Sequence, residues 1–389
     1  MKKGSKILIL ILFLTILQDI NTTCYSQSKG VSIQDILIKI DSLQQHKNTG
    51  QDQGGIPSLR RYHYGSTYKE DNNLFFTSLV LYTIGKYQTL LSKEEQLIYD
   101  QIKAGALPYI QKFQNKNGLT YNFWPKYPAQ FFPNSWLNNY RNINALADDV
   151  DDCAITYMAL GIDSIKAIAL RNKFKDFSNG KNKYSKGFYN KYNTSPVYTT
   201  WLGNGYPIDI DICVISNVLC FNSRYQFEYN NIDSSSLDLL VDLVKSNKHL
   251  NDAQYISQYY VNSATIIYHL AKLMQSIHYK DLDALRPQLI SDAKRMFNKS
   301  KYPLEQLLLS NALLQFGETD TKYHFMNEDA LLQNDYPYFE ANMSAYANNP
   351  LKRIVAASKI GKFKFYSYGF NLSLLLEHKM LLERKGSNN

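Results

Sequence analysis

The chain has 389 residues, a formal net charge of +9, and 31 tyrosines and 19 phenylalanines. Its lysines and arginines are spread along the sequence without a run of five or more, which argues against a nucleic-acid-binding stripe. The GxxxxGKS, GxGxxG, HExxH and GxSxG motifs are absent and the seven histidines are dispersed. These absences exclude the phosphate-loop, dinucleotide-binding, zinc-protease and serine-hydrolase classes that depend on those motifs.

The N-terminus has the three parts of an export signal. Three lysines within the first six residues precede an apolar stretch over 7–17, which is too short to span a bilayer of about 30 Å. Cys24 and Ser26 place small side chains where signal peptidase needs them, so we predict a signal peptide over 1–26. A lipid on Cys24 and a retained signal anchor are the alternatives. The mature chain, 27–389, is expected to be exported, either periplasmic or secreted, without stable membrane insertion.

Helical periodicity dominates the rest of the chain, and the predicted helices are of two kinds. One kind is apolar on nearly all sides, which predicts burial, and covers 73–87, 150–160, 208–221, 260–274, 303–316 and 369–382. The other kind is amphipathic, which predicts an outer position, and covers 32–46, 93–113, 163–174, 235–246, 282–297 and 327–333.

Alternation of six buried and six amphipathic helices predicts an all-α fold, an (α/α)6 toroid in a single domain over 27–389. An irregular helical bundle is the alternative. Stretches rich in Gly, Asn, Lys and Tyr at 178–200 and 324–349 predict long rim loops, and 118–136 predicts a loop or short hairpin on the rim.

Three cysteines remain after the predicted cleavage. Cys213 and Cys220 are seven residues apart in one predicted helix, about 10.5 Å by helical rise, which is too far for a disulfide. Pairing of Cys153 with either of them is sterically open, but the odd count favours buried free thiols.

The outstanding local feature is a run of acidic residues that opens the buried helix at 150–160. Asp148, Asp149, Asp151 and Asp152 place four carboxyl groups within five residues. Mutual repulsion and burial raise at least one pKa, so that one carboxyl stays protonated near neutral pH and can act as a general acid. Helix capping alone could also explain the run. Carboxylate oxygens also suit Ca²⁺ or Mg²⁺, although we assign neither a metal nor a cofactor.

The sequence Asp149-Val150-Asp151-Asp152, followed by Cys153-Ala154, resembles the DxDD-T-A motif of class II terpene cyclases of the squalene–hopene cyclase type. The resemblance implies an α/α barrel fold. It also implies that Asp151 is the general acid, with Asp149 and Asp152 as its supporting carboxyl groups.

Further residues extend this resemblance and are interpreted as substrate-binding groups. They are Trp124, Trp201, Asp209, Asp211, Tyr259 and Tyr260. In such a family, aromatic faces stabilise carbocations by cation–π attraction. Because the inner helices of a toroid run parallel, the acidic groups at their N-termini should gather at one mouth. Glu70 and Asp71 should lie there too.

Three functions fit this sequence. The first is protonation-initiated cyclisation of an isoprenoid. The second is a glycan-active hydrolase or lyase, with Asp151 or Asp152 as acid and Asp209 or Asp211 as base. The third is a non-catalytic toroid that binds a ligand. The expected partner is therefore a small apolar molecule or a glycan, and not a nucleic acid.

Overall fold

The computed structural model describes residues 31–45, 53–142, 145–333, 336–342, 344 and 347–386. The predicted signal peptide and its cleavage site lie outside these residues. Within them, no helix combines the length and the apolar character needed to cross a membrane.

The described part of the chain is predominantly helical. It contains fifteen α-helices: α1 Ile33–Gln45, α2 Leu74–Gly85, α3 Lys93–Gln111, α4 Val150–Leu160, α5 Ser164–Asp176, α6 Ile212–Arg224, α7 Asn231–Lys245, α8 Lys248–Asn251, α9 Ala253–Ile256, α10 Ser263–Ser276, α11 Lys280–Asp283, α12 Arg286–Lys299, α13 Pro303–Gln315, α14 Leu351–Ala357 and α15 Tyr368–Gly386.

Six of these helices form the interior, and we call them the central helices: α2, α4, α6, α10, α13 and α15. Each packs against the next in this order, and α15 packs against α2. The central helices are the six that the sequence predicts to be buried. A helix with apolar side chains on all sides has no polar face to present to solvent, so it packs in the interior. The predicted starts of α4 and α13 are also the observed ones.

Five predicted amphipathic helices correspond to α1, α3, α5, α7 and α12, and all five contact central helices. Helix α5 contacts α6 through Phe174 and Phe221, whose ring centroids are 5.7 Å apart. Helix α1 packs on α15, α3 on α2, α7 on α6, and α12 on α13. The sixth amphipathic prediction, 327–333, is wrong, because only a short 3₁₀ helix, Asp329–Gln333, forms there. A single apolar turn is too short to propagate an α-helix.

A small sheet departs from the all-α prediction. Its strands, β1 Leu59–Tyr62, β2 Tyr68–Glu70, β3 Phe339–Ala341 and β4 Phe363–Tyr366, pair antiparallel in the order β2-β1-β4-β3. Strands of three or four residues are too short to show an alternating pattern, so the sequence gives no sign of them. The sheet joins segments from the two ends of the described chain.

The predicted rim segments behave differently from one another. Residues 178–200 form a loop whose one helical element is a 3₁₀ turn, Asn190–Tyr192. Residues 118–136 are also irregular, with two isolated bridges, one between Lys126 and Ala129 and one between Tyr121 and Gln114. The third predicted loop, 324–349, instead contains β3 in its described part.

The three cysteines in the described chain are buried free thiols. Cys213 and Cys220 both lie in α6, as the spacing predicts. Their lack of a mutual disulfide is therefore confirmed.

Candidate functional site

A cavity of about 440 Å³ lies at the N-terminal ends of α2 and α4, with β3 and β4 forming part of its wall. Its walls are mainly aromatic, formed by Phe75, Phe123, Trp124, Phe131, Phe132, Trp201, Tyr206, Tyr259, Tyr260, Phe339 and Phe365. Asp149, Asp151, Asp152 and Glu340 also line it. The cavity therefore combines an apolar body with a localised acidic region.

The acidic region is built by the first turn of α4. Asp149 has an extended backbone and caps the helix, because its Oδ1 accepts the backbone N–H of Asp151 at 2.7 Å. A β-bridge joins Asp149 to Trp201, and the Val150 N–H donates to the Thr200 carbonyl at 2.9 Å. The capping interpretation thus holds for Asp149, and the same residue also faces the cavity.

Two of the four carboxyl groups that line the cavity have strongly raised pKa values. Burial raises the pKa of Asp149 well above its usual range, and the neighbouring charge of Asp151 adds to the rise. Burial also raises the pKa of Asp152 well above its usual range, with repulsion from Asp149 and Asp151. Both oxygens of Asp152 are buried without a hydrogen-bond partner, which is an environment for a neutral acid.

Asp151 differs from its neighbours because its carboxyl group is fully engaged. Asn217 Nδ2 donates to Asp151 Oδ1 at 2.6 Å, and the Tyr260 hydroxyl donates to Asp151 Oδ2. Burial raises the pKa of Asp151 to about 6, while Tyr260, Asn217 and the charge of Lys272 oppose that rise. Asp151 is therefore the carboxyl group of this turn whose two oxygens both accept hydrogen bonds from side chains.

Asp148, the fourth carboxyl group of the acidic run, is not part of the cavity. It accepts hydrogen bonds from Lys126 Nζ, Thr120 Oγ1 and Asn115 Nδ2 at 2.6, 2.6 and 2.7 Å. Burial raises its pKa, but these donors outweigh burial and hold the pKa of Asp148 below its usual range. Asp148 thus anchors the loop before α4.

The aromatic residues predicted from the sequence all line the cavity. Trp124 packs against Phe132, with ring centroids 4.7 Å apart. Trp201 meets Tyr259 edge-on at 5.9 Å. Tyr260 spans the floor between the acidic region and Phe75. These ring faces could stabilise a cation within the cavity.

Asp209 and Asp211 lie one layer behind the cavity wall and are not among the described lining residues. Asp209 accepts hydrogen bonds from the Tyr259 hydroxyl at 2.8 Å and from Lys352 Nζ at 3.2 Å. Asp211 caps α6 and accepts the Ser257 hydroxyl at 2.7 Å and the Tyr259 N–H at 3.1 Å. Both side chains hold Tyr259 at the wall of the cavity.

Asp71 has a similar place at the start of α2. It pairs with Arg60 of β1 and accepts the Trp124 Nε1–H at 3.0 Å. Glu70 is exposed on β2. The acidic residues before α2, α4 and α6 thus gather around one cavity, but only those of α4 line it.

Glu340 is a cavity residue that the sequence analysis missed. It lies on β3, is buried, and has its Oε2 3.9 Å from Lys362 Nζ. Burial raises its pKa. No sequence signal marks Glu340, because the strand that carries it is too short to recognise.

No set of three or more His, Cys, Asp or Glu side chains in the described ranges is arranged to hold a metal ion. Comparisons of the chain with family models, with curated proteins and with solved structures find no match. The chemistry of the cavity is therefore the basis on which a function can be assigned.

Proposed function

We propose that this chain is an exported (α/α)6 toroid that binds an isoprenoid-like alkene in the aromatic cavity and cyclises it after protonation. The toroid is supported by the closed order of contacts among the six central helices. Export is supported by the charged and apolar segments at the N-terminus. The principal support is the acidic region, where buried carboxyl groups face an aromatic cavity.

In this proposal, the Asp151 carboxyl group donates its proton to one carbon of a C=C bond. The π electrons form the new C–H bond, and the other carbon becomes a cation that the next C=C bond of the ligand attacks. The aromatic faces stabilise that cation, and Tyr260 and Asn217 stabilise the Asp151 carboxylate that remains. The final cation loses a proton to water, or adds a water molecule that then loses a proton, and solvent returns a proton to Asp151.

The neighbouring carboxyl groups are compatible with this role. Burial and mutual repulsion raise the pKa of Asp149 and Asp152 well above the usual range, which favours their neutral forms and limits the charge beside Asp151. A pKa of about 6 leaves a fraction of Asp151 protonated at neutral pH, and this fraction can donate its proton.

The test is incubation of the purified mature chain with linear polyprenyl substrates in D₂O, followed by mass spectrometry of apolar extracts. We expect a cyclic product with one deuterium on a ring carbon, and its loss in Asp151→Asn. The matched control is Asp163→Asn, which changes an exposed helix cap on α5. Because Asn caps about as well as Asp, the control should retain full activity. If none of the substrates gives a cyclic product, the proposal is wrong.

A second candidate function is glycan hydrolysis, which Glu340 favours. A glycosidase needs two carboxyl groups facing one bound sugar. Asp209 and Asp211, the expected bases, have their oxygens occupied behind the wall, whereas Glu340 lines the same cavity as Asp151 and Asp152. Release of reducing sugar from a glycan library, lost in Glu340→Gln, would support this function. Tight ligand binding without turnover in both assays would instead indicate a non-catalytic toroid.

A further inference from the structure

A buried lysine lies below the cavity floor without a carboxylate partner. Lys272, on α10, is 3 % exposed and forms no ion pair with a described carboxylate. Its Nζ donates to Asn217 Oδ1 at 2.7 Å and lies 5.5 Å from the ring centroid of Tyr82 and 5.9 Å from that of Tyr268. Burying an ammonium group costs several kcal/mol, so its placement needs an explanation.

The explanation lies in the amide that the ammonium contacts. Asn217 on α6 is fully buried between Lys272 and Asp151. An ammonium group can only donate, so Lys272 forces the amide oxygen of Asn217 towards itself. The amide N–H₂ then points in one direction, to Asp151 Oδ1 at 2.6 Å. The chain from Lys272 through Asn217 to Asp151 crosses three successive central helices, α10, α6 and α4.

The geometry points to Lys272 as a positioning residue that sets the acid strength of Asp151 through the amide of Asn217. This inference rests on the proposed function, in which Asp151 donates the proton. Stabilising the carboxylate that remains after donation makes the donor stronger, and a buried cation linked by short hydrogen bonds does this efficiently.

The other charged and titratable groups near Asp151 are either paired or favour their uncharged forms, so Lys272 is the cation that can stabilise its carboxylate. Lys86 is paired with Glu377 at 2.8 Å, so its charge is already compensated. From the first turn of its own helix, Asp149 and Asp152 face Asp151, and burial raises the pKa of both well above the usual range. Glu377 also acts on Lys272 from α15, but it is paired with Lys86. The remaining titratable groups facing either end of the chain are Tyr82, Tyr260, Tyr268, Tyr338, Cys213, Cys220 and His269. Burial raises the pKa of the tyrosines and cysteines and lowers the pKa of His269, so all of them are uncharged near pH 7.

The first test is direct titration of Asp151 in the full mature chain, by NMR of ¹³C-labelled aspartate carboxyl groups. Asp151→Asn identifies the signal. In Lys272→Met we expect the pKa of Asp151 to rise by about one unit, a tenfold change in its protonation equilibrium. Lys272→Arg keeps the charge and should largely restore the titration. Lys352→Met is the control, since Lys352 is equally buried but pairs with Asp209.

A second variant separates the effect of the hydrogen-bond chain from Lys272 through Asn217 to Asp151 from the effect of removing the lysine charge. Asn217→Leu keeps Lys272 but removes the amide, and it should raise the pKa of Asp151 as Lys272→Met does. If the two residues act as one chain, the double variant should show less than the sum of the single shifts. An unchanged Asp151 titration in Lys272→Met, or additive shifts, would overturn the inference.

The readouts distinguish this inference from the proposed function. If the Asp151 titration shifts as expected but no substrate is turned over, the role of Lys272 is supported and the proposed cyclisation is contradicted. If turnover is found, Lys272→Met should lower kcat and move the pH dependence of kcat upward with the Asp151 titration. A loss of kcat with an unmoved pH profile would mean that Lys272 is merely structural.

Discussion

Trp124 and Asp71 are joined by a hydrogen bond of 3.0 Å from the indole Nε1 to the carboxylate Oδ1, across 53 residues of sequence. The contact links a cavity wall to the start of α2. Asp71 also pairs with Arg60 of β1, so the same carboxylate holds the sheet against the helices. The wall of the site and the small sheet are therefore stabilised by one buried charge.

Trp124→Phe tests that link. Phenylalanine retains most of the ring but cannot donate, so one buried carboxylate oxygen loses a partner. We expect the free energy of unfolding to fall by about 2 kcal/mol, the range for a hydrogen bond to a charged group. Urea unfolding measures it. Trp136→Phe is the matched control, because Trp136 is 68 % exposed and its replacement should have almost no effect.

Asp152→Leu should stabilise the protein at neutral pH. The Asp152 oxygens are buried and unpartnered, and an apolar group of similar size removes that cost, about 1–3 kcal/mol. Because burial raises the pKa of Asp152 well above 3.8, the folded state binds the extra proton. The wild type should thus lose stability as pH rises from about 4 upward. Urea unfolding at several pH values should show that stability depends less on pH in Asp152→Leu and in Asp152→Asn than in the wild type. If both variants depend on pH as steeply as the wild type, Asp152 is not the group responsible.

Glu377 has the opposite pH dependence. Its carboxylate accepts Lys86 Nζ at 2.8 Å and the Tyr87 and Tyr268 hydroxyls at 3.2 and 2.5 Å. Burial raises the pKa of Glu377, but Lys86, the Tyr268 hydroxyl and the charge of Lys272 outweigh burial and lower the pKa below 4.5. This stability is present above about pH 4.5 and is lost as pH falls further.

Glu377→Gln should cost about 2 kcal/mol in the free energy of unfolding, because it removes the fully buried carboxylate that compensates Lys86, whose side chain is only 21 % exposed. Thermal and urea unfolding at neutral pH measure the loss. Glu228→Gln, a change at an exposed position before α7, should stay within about 0.5 kcal/mol of the wild type. Similar losses of unfolding free energy in both variants would show that the Lys86–Glu377 pair stabilises the protein no more than an exposed residue does.

Gly54 and Gly118 both have positive φ, at 89° and 69°, but only Gly54 is tightly enclosed. A Cβ atom on Gly54 would lie 2.1 Å from the Gly105 carbonyl oxygen of α3, whereas one on Gly118 meets nothing within 4 Å. Alanine at either position incurs the backbone cost of about 1–2 kcal/mol. Gly54→Ala should therefore be clearly the less stable variant by urea unfolding. Equal losses would mean that the chain moves freely at Gly54.

Much of the helical architecture could be predicted from the sequence, because the burial of a helix determines the pattern of apolar residues within that helix. A helix that is apolar on every side, such as α4, can only lie inside, and its acidic first turn marks where it begins. The same reasoning places Asp149, Asp151 and Asp152 together, since they share one turn. Tyr259 and Tyr260 were likewise identified from the stretch that leads into α10.

What the sequence by itself determined is therefore the order, type and burial of the main helices, and one end of the site. Only the tertiary structure decided that Glu340 lines the cavity, that Asp209 and Asp211 lie behind it, and that Lys272 reaches Asp151 through Asn217. Helical periodicity is local, recurring every three or four residues. The contacts of the short strands and the interior polar groups join residues that are tens to hundreds of positions apart, and no local pattern records such pairings.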